Sequence, residues 1–213
     1  MSNAWDCIFE LSSHFEITFS ARFTSLPVDD RFNTRLMKSL EWTSTRVRKA
    51  HLSVIDDREH AGIALFHCCI FPDFGVDAPI FGCDIVAGKN KITGAFLDFS
   101  PTTSTAYVPP VSTYSWSRVR QVPDWGKDIF SESFLAIGNI QENETEQLQE
   151  QVYSNLDLYL KLLQDAPIGA NTKYRQSLYC RQQKKNPRLT TRFMVDIGLT
   201  DELATLFVQE KLF

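Results

Sequence analysis

Residues 62 to 101, GIALFHCCIFPDFGVDAPIFGCDIVAGKNKITGAFLDFSP, hold three apolar, β-branched runs set between Pro, Gly and Asn. That punctuation predicts three successive strands, Gly62 to Phe71, Ile80 to Val86 and Ile92 to Phe99, and the rest of the chain must fold around them. Two ionisable residues interrupt the runs: His67 in Leu-Phe-His-Cys-Cys and Asp84 in Phe-Gly-Cys-Asp-Ile-Val. Each stands where a central strand normally carries Val or Ile. Burying an imidazole or a carboxylate is costly unless each finds a partner, so one on each of two adjacent strands points to a shared pocket. Spacing alone leaves two readings open, a pair that only satisfies its own hydrogen bonds and a proton-transfer site.

The order of elements widens the picture. Thr45 to Ile55 alternates as a strand with Val47, Lys49, His51 and Ser53 on one face, and Asp56 to Gly62 reads as a hairpin tip leading into the His67 strand. Upstream, Phe15 to Phe23 alternates like an edge strand, while Phe32, Leu36 and Leu40 fall at helical spacing within 31–43. Residues 101 to 119, rich in Pro, Ser, Thr, Tyr and Trp, read as a surface excursion, and Phe130 to Ile137 as a returning strand. A helix is predicted over Asn143 to Gln164, with Leu148, Val152, Leu156, Tyr159, Leu160 and Leu163 on its apolar face. Two more helices are predicted, over Thr172 to Lys185 and Thr200 to Lys211, with Pro187 as a break. Strands first and helices after give an α+β fold, an antiparallel sheet with helices packed on it.

Composition narrows the function classes. The 213 residues, 43% hydrophobic and 23% charged, suit one globular domain over 1–213, without a linker, repeat or apolar run of membrane-spanning length. The start, Met-Ser-Asn-Ala-Trp-Asp-Cys, lacks the pattern of a secretory signal, so a cytoplasmic location is expected. A net charge of −4 argues against general nucleic-acid binding. Cys7, Cys68, Cys69, Cys83 and Cys180 have no C-x-x-C spacing, and no metal site, Rossmann fingerprint or phosphate loop is indicated.

Leu-Phe-His-Cys with Phe-Pro, Ala-Pro-Ile-Phe-Gly-Cys-Asp-Ile-Val-Ala-Gly and Leu-Asp-Phe-Ser-Pro, in that order, resemble the core of the ferredoxin-dependent bilin reductases. Val-Pro-Asp-Trp-Gly-Lys-Asp-Ile-Phe-Ser (122–131), Tyr-Cys-Arg-Gln-Gln-Lys-Lys-Asn (179–186) and the Leu-Phe ending extend the likeness, which spans roughly residues 45 to 213 and is strongest to the phycocyanobilin-forming branch. The resemblance implies an α/β/α sandwich that holds a linear tetrapyrrole between the sheet and the C-terminal helices. It implies biliverdin IXα as substrate and a 2Fe–2S ferredoxin as electron donor, with no flavin, nicotinamide or metal in the enzyme. A monomer is expected.

By that resemblance Asp84 is the first proton donor, while His67 holds the neighbouring carbonyl and relays the next proton. The family's propionate contacts map onto Thr93, Arg120 and Arg188, with His51 shaping the pocket. Two acids are missing. The phycocyanobilin-forming enzymes carry a catalytic Glu two residues after the His of Lys-Ala-His-Leu-Ser, where this chain has Ser53. Many relatives have an Asp after the Lys/Gln-rich helix, where this chain has Asn186-Pro187. The missing Glu points to phycoerythrobilin, through 15,16-dihydrobiliverdin and bilin radicals, while the missing Asp cuts the other way, since other phycoerythrobilin-forming relatives use an acid there for the A-ring step. Phycocyanobilin, a non-catalytic bilin carrier, or action on another linear tetrapyrrole such as a red chlorophyll catabolite stay open as other readings. A basic cluster of Arg175, Arg181, Lys184, Lys185, Arg188 and Arg192 is a candidate docking face for acidic ferredoxin, or else an ordinary solvated helix face, and Arg46, Arg48 and Lys49 either extend it or lie elsewhere.

Overall fold

The computed structural model describes residues 3–104, 106–111, 114–122, 124–185 and 188–213, except for the side chains of residues 188–190 and 193. Within them an antiparallel sheet runs β1 (Thr24–Ser25), β2 (Met37–Thr43), β3 (Val47–Asp57), β4 (Ile63–Pro72), β5 (Ile80–Ala87), β6 (Lys91–Ser100) and β7 (Leu135–Gln141). Each strand lies beside its sequence neighbour, a plain meander. The three strands expected from the Gly62–Pro101 stretch are β4, β5 and β6. The hairpin between β3 and β4 turns at Gly62, whose φ of 68° is left-handed backbone that glycine adopts without steric cost.

Helices cover both faces of the sheet. On one side α1 (Ala4–Arg22) and α2 (Thr145–Asp165) pack against the alternate residues Leu52, Cys68, Cys83 and Leu97 in a single apolar cluster. Phe15 meets Phe66 edge to face at 4.9 Å, and Tyr159 of α2 lies 5.4 Å from Phe81. On the other side lie α3 (Lys173–Lys184), α4 (Arg188–Asp196) and α5 (Asp201–Leu206), the last running on as a π-helical turn over Phe207–Leu212. The α+β sandwich with a central antiparallel sheet is therefore observed.

Several local expectations are corrected. Phe15 to Phe23 is not an edge strand but the end of α1, and its start explains why. Asn3 Oδ1 accepts from the backbone N–H of Trp5 and Asp6 at 2.9 and 3.0 Å, and Asp6 reaches back to Asn3 N, a capping box that launches a helix. Ala4, Cys7, Ile8, Leu11, Phe15 and Phe19 then fall on its buried face. The helix expected in 31–43 is instead a 3-10 turn, Asp30–Phe32, followed by β2, because pairing with β3 overrides the helical spacing of Leu36 and Leu40. A bulge between Val47 and Lys49 sends Val47 to the α1 side, away from Lys49, His51 and Ser53. The last strand starts at Leu135 rather than Phe130. The helix α4 is not among the expected helices.

Candidate active site

The face of the sheet turned to α3–α5 is apolar at its two ends and polar between them. One apolar cluster gathers Phe32, Met37, Ile55, Met194, Phe207 and Leu212. The other gathers Cys69, Phe71, Ile80, Ile129 and Tyr179. Phe213 packs against both. In the gap, strand pairing lines up Ser39, Ser53, His67, Asp84 and Phe96 as one cross-strand row over β2 to β6.

Asp84 and His67 are direct neighbours, as expected. His67 Nδ1 and Asp84 Oδ1 are 2.5 Å apart, a short hydrogen bond. They differ in exposure. The His67 side chain is 8% exposed and the Asp84 side chain 48%, so the expectation of a buried carboxylate is corrected. His51 and Phe213 pack against the His67 ring, whereas the carboxylate is left open in the gap between the two apolar clusters. The other ring nitrogen of His67, Nε2, is buried and makes no hydrogen bond among the described residues.

His51 sits one row away, fully buried. Its Nε2 lies 3.0 Å from both Ser39 Oγ and Ser53 Oγ, its ring is 5.4 Å from His67 and 5.9 Å from Phe207, and its Nδ1 is buried without a partner among the described residues. Burial above all, then the nearby His67, Lys49 and Lys211, hold its pKa well below the ordinary histidine value, so the ring is neutral. Ser53 pairs directly with His67 across β3 and β4 but spends its hydroxyl on His51. Phe213 stands edge to face with His67 at 6.1 Å and with Tyr179 at 6.3 Å, closing that side of the site.

Two groups here were not singled out as site residues from sequence. Tyr179 of α3 reaches over Gly82, where a Cβ would sit 3.5 Å from its hydroxyl, so the glycine leaves room for the phenol. Asp98 lies on the same face, opposite Gly82 on β6, and is 3% exposed. Ser100 Oγ and Ser131 Oγ and N–H donate to its carboxylate, pinning the 131–134 turn to the sheet. Burial still pushes its pKa up to about 6. The signal for both lay in motifs already noted, Tyr-Cys-Arg and Leu-Asp-Phe-Ser-Pro.

Thr93 and Arg120 come together. Arg120 Nη2 donates to Thr93 O at 3.0 Å, and the guanidinium lies flat over Gly138, where a Cβ would meet it at 2.6 Å, and beside Gly94. Gly94 faces the same way as Phe96 of the polar row, which leaves a cation on the site's side of the sheet. Asn186 lies outside the described residues, as does the side chain of Arg188.

In the basic cluster, Arg181, Lys185 and Arg192 are exposed, while the Lys184 ammonium donates to Gln209 O. Arg46 and Lys49 do not extend this face, whereas Arg48 lies beside α3. The Arg46 guanidinium caps the C-terminus of α2 through Leu163 O and Ala166 O, Arg48 stacks on Phe71 and donates to Gln176, and Lys49 pairs with Glu41 at 3.3 Å. No group of three or more His, Cys, Asp or Glu side chains is placed to hold a metal among the described residues. No described helix is long and apolar enough to cross a membrane.

The family described as ferredoxin-dependent bilin reductase matches residues 14–213. Phycocyanobilin:ferredoxin oxidoreductase of Prochlorococcus marinus (strain MIT 9313) is 34% identical over 187 residues, covering 78% of this chain and 66% of that protein. The chain thus spans a little under two thirds of that relative. The protein of the same name from Synechococcus sp. (strain CC9902) is also 34% identical, over 183 residues, with 78% and 71% covered. Among solved structures, PcyX superposes with a TM-score of 0.69 at 26% identity over 96% of each chain. Tomato phytochromobilin synthase, solved with biliverdin, gives 0.62 at 15% identity over 98% of this chain and 82% of its own, a likeness of fold.

Proposed function

This chain belongs to the ferredoxin-dependent bilin reductase family, and from that premise we propose that it reduces biliverdin IXα by four electrons to phycoerythrobilin, through 15,16-dihydrobiliverdin. Ferredoxin supplies the electrons singly. Each one makes the bilin radical more basic, and the protein's part is to deliver a proton to a chosen carbon while keeping water from the others. Two electrons and two protons complete each of the two reductions.

The observation that carries this reading is the acid inventory of the polar row. Ser39, Ser53, His67, Asp84 and Phe96 offer one carboxylate, Asp84. A serine hydroxyl is far too weak an acid to stand in for the Glu that phycocyanobilin-forming enzymes use at the D-ring vinyl group. Asp84 gives its proton to the methine bridge between the C and D rings. His67, bonded to it through Nδ1, returns a proton to the carboxylate. Arg120 pairs with a propionate. For the A-ring step Asp84 serves a second time.

Phycocyanobilin is the second reading, supported by the names of the two relatives at 34% identity. Anaerobic turnover of biliverdin with reduced ferredoxin, followed by chromatography of the bilins, separates the two. Phycoerythrobilin is the expected product. Phycocyanobilin alone, or accumulation of 15,16-dihydrobiliverdin, would overturn the assignment, and a single spectral shift with no product would identify a carrier.

A further inference from the structure

The segment from Ala166 to Val195 holds seven of the chain's 22 Lys and Arg residues and none of its 26 Asp and Glu, so the rest of the chain is more acidic than the whole. Its centre is α3, and α3 is two-faced. Gln176 and Tyr179 are buried against the sheet, Tyr179 over Gly82, and Gln183 bonds the Tyr179 hydroxyl. Tyr174, Arg181 and Lys185 recur at i, i+7 and i+11, which places them in one stripe on the opposite, solvent side. All three are exposed, and Tyr174 is 69% exposed.

Beside the head of that stripe is an uncovered apolar group. The 73–78 loop is fastened to the approach to α3 by Gly169 N to Gly75 O at 2.8 Å and Thr172 N to Phe74 O at 3.0 Å. These bonds bring Ile168, 76% exposed, and Phe74, 37% exposed with the Arg48 guanidinium 5.1 Å from its ring, next to the start of α3. Large apolar side chains left open beside a row of cations have the composition of a protein-docking patch, an apolar centre with a charged rim.

Resting on the functional reading above, we propose that this outer stripe of α3, with Ile168 and Phe74 at its head, is where acidic ferredoxin docks. Charge selects the occupant. An acidic partner is steered to a helix, α3, with cations and no carboxylates of its own, and is repelled by α2 on the far side of the sheet, which carries Glu146, Glu150, Asp157 and Asp165 against Lys161. Position supports the choice. A donor seated on the stripe is separated from the site by one helix, about 10–12 Å across, whose inner face is Tyr179 itself. One electron passes from the reduced iron–sulfur cluster to the bilin, and the proton that balances it comes from the site.

The test compares two donors under anaerobic conditions, ferredoxin and dithionite, with biliverdin bound to the whole chain. In Arg181→Glu/Lys185→Glu the ferredoxin-driven rate falls about 10-fold or more at low salt, while the dithionite-driven rate and the bound-bilin spectrum stay as in the wild type. Tyr174→Ala raises the KM for ferredoxin several-fold in a way that salt does not relieve. A wild-type ferredoxin-driven rate in the double variant would overturn the docking face and leave the functional reading intact. Biliverdin bound by the wild type but reduced by neither donor would overturn the functional reading and the docking face with it.

Discussion

Two cross-strand rows one residue apart show how one sheet serves two purposes. Leu52, Cys68, Cys83 and Leu97 line up over β3 to β6 and point to α1 and α2, each no more than 1% exposed. Ser53, His67, Asp84 and Phe96 line up beside them and point to α3–α5. The first row belongs to one continuous core, where burial pushes the thiols of Cys68 and Cys83 far above the ordinary range and leaves them unreactive. The second falls between two smaller apolar clusters. The lesson is that the site is made by leaving a seam in the packing of one face, and that the other face supplies the stability that lets the seam stay polar.

Substitutions on the two rows should fail in different ways. Phe66→Ala, in the unbroken core where Phe66 is fully buried against Phe15, should cost about 3–5 kcal/mol of stability by leaving a cavity. Urea titration checks this, and a loss below about 1 kcal/mol would mean that the core collapses onto the gap.

On the polar face stability should depend on pH. The native pKa of Asp98 lies at about 6, above its ordinary value of 3.8, so between those values the native state binds more protons than the unfolded state. Its contribution is complete below the unfolded pKa and is lost as pH rises through about 6. The shift corresponds to about 3 kcal/mol. Asp98→Asn should flatten the fall in stability between those two pH values, measured as the difference from wild type, and parallel curves would contradict the assignment. His51 acts with the opposite sign. Its pKa is depressed, so its contribution is present above about 6.5 and is lost as pH falls below that.

Gly138→Ala should act on the substrate and spare the fold. A Cβ there would lie 2.6 Å from the Arg120 guanidinium, the movable end of a long side chain, so the arginine shifts at little cost. Biliverdin affinity should fall about 10-fold as a charge-assisted contact is lost. Unchanged affinity by fluorescence titration would detach Arg120 from the propionate. The smallest effect is expected of Ser53→Ala, which removes one of two hydroxyls on His51 Nε2. Turnover should stay within about three-fold of wild type.

What was legible in the chain follows the same division. β4, β5 and β6 and the turn at Gly62 could be read because apolar runs, Pro and Gly are local signals. So could the pairing of His67 with Asp84, because a charged residue in a central strand needs a partner nearby. The openness of Asp84 could not be read, since it depends on where α3 and the 207–213 segment come to rest. Nor could the fate of Val47, because one bulged residue inverts the face of everything before it. α1 was missed because Phe15 to Phe23 alternates by chance, while the decisive capping box lies a dozen residues upstream at Asn3. Nor could the places of Arg46, Arg48 and Lys49 be read, because each is fixed by a tertiary partner distant in sequence or on another strand.

The central claim is that the Asp84–His67 pair in the seam is the proton source. Asp84→Asn keeps the shape of the side chain and a hydrogen bond to His67 but carries no transferable proton. Mixed anaerobically with biliverdin and reduced ferredoxin, it should bind the bilin and accept an electron. It should then stall as a bilin radical visible by electron paramagnetic resonance, with product formation slower by about 10²-fold or more. Product formed at the wild-type rate, with no accumulated radical, would contradict the account.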